Sequence, residues 1–192
     1  MLLILPRKKK YHMNWKNIFT TRNQVIGVLI LVAAMSRLLP HPYNFTPIAA
    51  IALFGGCYII DKRYAIALPL VVMLISDLAL FMYNPSYTPD LFVYLSFLII
   101  SSLGFLLRGR EQRQTIMVAS LTGSMLFFLI TNFGVWLFDA DYAKNGAGIA
   151  ECYIKAIPFF RGTIMGDLFY NLVLFGSYAI IKWRKPLLVK VQ

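Results

Sequence analysis

The chain has 192 residues, is 59% hydrophobic and carries a formal charge of +11. Soluble domains hold about 45–50% apolar residues, so the composition excludes a water-soluble globule and predicts an all-α integral membrane protein. The charge does not argue for nucleic acid. The Lys and Arg fall between apolar segments, where they report topology and contact with anionic lipid headgroups.

Residues 1–23 read as a basic cytoplasmic arm. Leu2 to Leu5 is too short for the apolar region of a signal peptide, and Arg7-Lys8-Lys9-Lys10 follows at once. Met13 is an alternative start. Apolar segments then run over 24–39, 45–60, 64–82, 91–107, 115–138 and 164–181. A span needs about 20 residues, and about 17 suffice. The second segment is short and carries Gly55-Gly56, so its length alone also fits a re-entrant turn. Charge decides in favour of six transmembrane helices with both termini cytoplasmic. That arrangement leaves only Arg37, Lys144, Lys155 and Arg161 outside, and puts the other 15 of the 19 Lys and Arg inside. This is the bias of the positive-inside rule. The expected organisation is one transmembrane domain over 24–181, a basic tail over 182–192, and a multi-pass location in a bacterial cytoplasmic (inner) membrane.

The external connections differ in kind. Residues 40–44, Pro40-His41-Pro42-Tyr43-Asn44, are a tight turn, and 83–90 again carry turn chemistry in Asn84-Pro85 and Thr88-Pro89. Residues 139–163 read as a long external loop, with a short interfacial helix over Ala147 to Phe160. A loop of that length is expected to serve as a lid or binding loop.

Five polar residues interrupt the apolar segments: Arg37, Asp77, Asn132, Asp167 and Asn171. Charge inside hydrocarbon is costly and is kept for a site, a path or a pair. With direction assigned to each span, all five are expected in the outer part of the membrane, Asp167 in the first turn of the sixth span. Helical spacing adds Tyr170 to the face of Asp167 and Asn171, and Trp136 to the face of Asn132. Together these residues predict an outward-facing substrate pocket. Asp77 and Asp167 would bind polar or cationic groups, and Arg37 would pair with one acid or with a substrate anion. Asn132 and Asn171 would hydrogen-bond, while Trp136 and Tyr170 would offer stacking surface. Two acids against one Arg favour a neutral or cationic ligand. A scaffold reading, in which the same residues only hold the bundle, stands beside this one.

Catalytic signatures are missing. No H-E-x-x-H, G-x-S-x-G or Cys–His cluster occurs, so neither a metal nor a cofactor is expected. Gly104 and Gly109 echo a phosphate loop, but Arg110-Glu111 follows where Lys and Ser or Thr are needed. The chain is not expected to be an enzyme, although Asp77 and Asp167 as acid and base give an alternative. Cys57 and Cys152 are expected on opposite sides of the membrane, without a disulfide. Ala52 and Gly56 form a small-xxx-small pair that suits close helix approach, within the bundle or against a partner.

The run Arg37-Leu-Leu-Pro-His-Pro-Tyr-Asn-Phe-Thr-Pro47, continuing to Gly56, resembles the signature of an uncharacterised bacterial family grouped with transport proteins. Ser76-Asp77, Thr131 to Trp136, Ile157-Pro158-Phe159-Phe160 and Gly166-Asp167 resemble further motifs of that family. It is similar to the substrate-binding S components of energy-coupling factor (ECF) transporters. The resemblance implies a six-helix bundle that binds a small, vitamin-like molecule from outside and works with a coupling subunit and ATPases. One departure is that Gly27 to Ala34 holds no Ala-x-x-x-Ala docking pair, which leaves a solitary role open. The expected function is the substrate-binding subunit of a small-molecule uptake system. Its partners would be the lipid bilayer, the substrate and an energising ATPase or coupling subunit.

Overall fold

The computed structural model describes residues 21–37 and 39–186. The basic arm over residues 1–20, with His12, and the tail from residue 187 lie outside the described residues. The fold is all-helical, with six helices: α1 (Thr21–Ser36), α2 (Ile48–Tyr58), α3 (Lys62–Tyr83), α4 (Leu91–Leu106), α5 (Arg113–Phe138) and α6 (Gly146–Arg184). Helices α3, α5 and α6 are long and apolar enough to cross a membrane, while α1, α2 and α4 are shorter apolar helices.

Apolar residues fill the core of this bundle and also cover much of its outside. Large apolar side chains face outward, among them Val28 and Leu31 of α1, Leu74 and Leu78 of α3, and Leu172 and Ile180 of α6. Ser76, Asp77, Ser96, Ser101, Ser120, Ser124, Thr163, Asp167 and Asn171 are buried. Exposed apolar area on this scale is a liability in water and the ordinary surface of a protein in lipid.

The axis of the bundle is α2. Every residue from Ile48 to Cys57 is buried, and α2 touches each of the other five helices. Small residues allow this. A Cβ placed on Gly56 would strike Ser101 O and Gly104 Cα, and one on Gly104 would strike Leu53 O. The α2–α4 crossing is therefore a backbone-to-backbone contact. Gly56 of the small-xxx-small pair serves packing inside the chain, and Gly104 of the loop-like motif does the same. Gly109, at φ 75°, takes the left-handed conformation just past α4, where glycine carries no steric cost. Cys57 and Cys152 are free and buried.

In the external segment expected over 139–163, the helix read over Ala147 to Phe160 is present, but as the first part of α6 and not as a short separate element. Only residues 139–145 connect α5 to α6. Asn145 caps α6 by accepting from Gly148 N–H at 2.9 Å, the side-chain cap that a helix start favours. Tyr153 donates to Leu129 O at 2.6 Å, and Phe128 packs on Tyr153 and Phe160. The first half of α6 thus forms an antiparallel hairpin with the end of α5 and runs on, through Pro158, to Arg184.

Candidate binding site

The segment before α2 sets the geometry. Asn44, at φ 59°, takes the left-handed turn conformation that Asn tolerates, and Phe45 N–H bonds back to Pro42 O at 3.1 Å. His41 Nδ1 donates to Pro42 O at 2.9 Å, so this histidine is a turn residue. The chain then lies against bare backbone on α6, where a Cβ on Gly162 or Gly166 would meet Tyr43 O or Phe45 Cα. Pro47 leads into α2, whose first turn has no side-chain cap. The positive end of a short, buried helix is thereby delivered beside α6.

A cavity of about 170 Å³ opens at this point. Its polar wall comprises Arg37, Asn44, Thr46, Tyr87, Thr163 and Asp167. Met73, Val93, Phe97 and Phe127 supply apolar surface, and Ile48 and Ala49 bring the start of α2 to its edge. A cavity of about 150 Å³ holds a ring the size of benzene, so this one suits a small organic molecule.

Arg37 is held from behind. Its Nη1 pairs with Asp77 Oδ1 at 3.0 Å, with the two side chains 10% and 1% exposed, and also donates to Ser76 Oγ. Tyr87 donates to Asp77 Oδ1 at 2.9 Å and Tyr94 to Oδ2 at 2.7 Å. Both carboxylate oxygens are therefore engaged, and Asp77 does not line the cavity. The loop phenol of Tyr87 is pushed above its ordinary pKa, first by burial and then by its hydrogen bond to Asp77.

Asp167 belongs to a second group. Ser124 Oγ donates to its Oδ2 at 2.6 Å. Asn171 Nδ2 donates to Ser120 Oγ at 2.9 Å and to Asp167 O at 2.8 Å, and Asn171 Oδ1 is buried without a partner. Asp167 and Asn171 also border a smaller void lined by Ala49, Leu53 and Ile100. Among the described residues the ion pairs are Arg37–Asp77 and Lys155–Glu151, so Asp167 has no cationic partner.

The seven residues singled out in the sequence do not form one constellation. Arg37 and Asp167 share the cavity. Asp77 stands behind Arg37, and Asn171 lies below Asp167. Tyr170 accepts from Ser36 Oγ at 2.9 Å and packs on Phe45 and Phe169. Asn132 turns back on its own helix to Phe128 O at 2.8 Å. Trp136 Nε1 donates to Ala143 O at 3.0 Å, and Lys144 Nζ reaches Trp136 O at 2.5 Å. Asn132 and Trp136 thus serve the α5–α6 turn, away from the cavity.

The first-turn position expected for Asp167 is corrected as well. Because α6 begins at Gly146, Asp167 lies about 31 Å along it instead of in a first turn. Its partner Ser124 is about 16 Å from the start of α5, and Ser120 about 10 Å. Asp77 lies about 9 Å from the opposite end, the end of α3 at Tyr83. Tyr87, Tyr94, Ser120, Ser124 and Thr163 were not singled out from the sequence. Ser120 and Ser124, at i and i+4 in an apolar helix, were the available signal.

A family profile, described as a family of unknown function (DUF6580), matches residues 17–188. The chain belongs to this family. No curated protein matches the chain, and no solved structure does. The family description assigns no activity, so function rests on the geometry.

Proposed function

We propose that this DUF6580 member is a six-span protein of a bacterial cytoplasmic membrane, with both termini inside, and that it is the substrate-binding subunit of a small-molecule uptake system. The cavity carries this reading: buried charged groups at the start of a broken-in helix, in a bundle whose outer surface is apolar. Half-helix starts aimed at substrate sites are a recurrent device of membrane transporters. The start of α3 and the connection 107–112 carry Lys62, Arg63, Arg108 and Arg110, which fits a cytoplasmic side. On this reading α6, about 58 Å long, exceeds a hydrocarbon layer of about 30 Å, and its first turns stand outside the membrane with α5. Substrate is captured between the 40–47 and 84–90 connections and released inward with the help of an energising coupling subunit or ATPase.

The acid–base alternative has less support. Asp77 is committed to Arg37, Tyr87 and Tyr94, while Asp167 bonds Ser124 on another helix. Native mass spectrometry of the purified protein tests the proposal. A co-purified small molecule is expected, at reduced occupancy in Asp167→Ala. Full occupancy in that variant would sink the site assignment, and a wild-type protein that never carries a small molecule would sink the binding function.

A further inference from the structure

The cavity has two chemically opposite walls. On one side, Arg37 spends only Nη1 on Asp77 and Ser76. Its Nε and Nη2 make no hydrogen bond to the described residues, although the side chain is 10% exposed and lines the cavity. A guanidinium with a free edge is a ready anion receptor. The uncapped start of α2 reaches the same wall through Ile48 and Ala49 and adds N–H donors and a positive dipole end. On the other side stands Asp167, 3% exposed, hydrogen-bonded to Ser124 and in ion-pair contact with no cation among the described residues. A buried acid with no partner of its own is matched by a ligand cation. The Arg37–Asp77 pair cancels itself, so neither wall neutralises the other.

We propose that the ligand is a small zwitterion, with its carboxylate-type group on Arg37 and the start of α2 and its ammonium-type group on Asp167. The inference rests on the binding function proposed above and narrows its substrate class. A purely anionic ligand would leave Asp167 unmatched and repelling. A purely cationic one would leave the Arg37 edge and the α2 N–H groups dry and unpaired. A volume of about 170 Å³ holds a few carbons between the two charges.

The test is calorimetric titration of the full chain in lipid nanodiscs. The probes are glycine, 4-aminobutyrate and 6-aminohexanoate, against butylamine and butyrate as single-charge controls. At least one zwitterion is expected to bind at least about tenfold tighter than either control, the effect of one charged hydrogen bond. Asp167→Asn should erase the preference over butyrate. Arg37→Lys, which keeps the charge and the Asp77 pair but loses the free edge, should erase the preference over butylamine. Butylamine or butyrate binding as tightly as every zwitterion would overturn the proposal, as would no zwitterion binding at millimolar concentration. If the protein still co-purifies with a molecule that lacks one of the two charges, the zwitterion fails and the binding function stands. If it carries nothing and binds nothing, both fail.

Discussion

The two ends of α2 meet opposite fates. At its C-terminal end the carbonyls are stopped by arginines. Arg108 donates to Gly56 O at 2.9 Å, Ile59 O at 2.7 Å and Ile60 O at 3.2 Å, lies over the Phe105 ring, and is pulled below its ordinary pKa chiefly by burial. Arg22 donates to Tyr58 O at 2.9 Å and to Tyr178 Oη at 3.2 Å, and Phe54, Tyr58, Phe175 and Tyr178 close the rest with edge-to-face and tilted rings. At its N-terminal end no side chain caps the helix, an arginine stands by with a free edge, and a cavity takes the place of packing. A helix leaves unsatisfied groups at both ends. Where the chain supplies the partners, the end is structural. Where it withholds them beside a cavity, the partner is expected from elsewhere.

The largest effect is expected from Asp77→Ala. It leaves the Arg37 guanidinium buried and unpaired, at a cost of about 3–5 kcal/mol. Thermal unfolding in detergent should show a clear drop together with loss of ligand, and a variant that melts like the wild type would mean the pair does not organise this end. Arg108→Ala comes next, because three carbonyls at the closed end lose their donor, for about 1–3 kcal/mol. Here the melting temperature should fall while ligand affinity is kept. Loss of affinity would break the contrast between the two ends. Tyr94→Phe removes one of the donors to Asp77 and should cost about 0.5–1.5 kcal/mol, with a smaller loss of affinity that follows the looser Arg37.

The smallest effect is a pH dependence. The Tyr87 pKa is raised in the folded protein by burial and by its bond to Asp77, so the protonated phenol is the form the fold favours. Its stabilising contribution is complete below the ordinary phenol value of about 10 and is lost as pH rises through the folded value. Unfolding scans above that pH should fall less steeply for Tyr87→Phe than for the wild type. Parallel curves would remove Tyr87 from the support of Asp77.

Six apolar segments were legible in the sequence because hydropathy sums over many residues and survives local error. Pairing of Arg37 with an acid was legible because a charge in an apolar run needs a partner. The true start of α6 was hidden by its polarity. Glu151, Lys155 and Arg161 set the 147–160 helix apart from the apolar span that follows, although Glu151 and Lys155 are an i,i+4 pair, 2.7 Å apart, in one continuous helix. That one boundary moved Asp167 from a first turn to the middle of one continuous helix. Tyr94, Ser120 and Ser124 escaped notice because a hydroxyl barely dents an apolar average, and only the fold shows which carboxylate it meets. Asn132 and Trp136 do share a face of α5, but that face closes the hairpin with α6.

The Gly56–Gly104 crossing inverts the usual map of tolerance to sequence change. In water a core is most vulnerable to atoms removed, since solvent exclusion holds it together. In a lipid surround, on the membrane reading proposed here, tails are as apolar as any leucine, and cohesion comes from packing contacts and interhelical hydrogen bonds. Trimming Ile51 or Leu53 by a methyl then forfeits the packing contacts of the atoms removed. One carbon gained at Gly56 or Gly104 collides with backbone that has no rotamer to retreat into. Variation accumulating in such a chain should therefore enlarge its interior almost nowhere along the line where α2 meets α4.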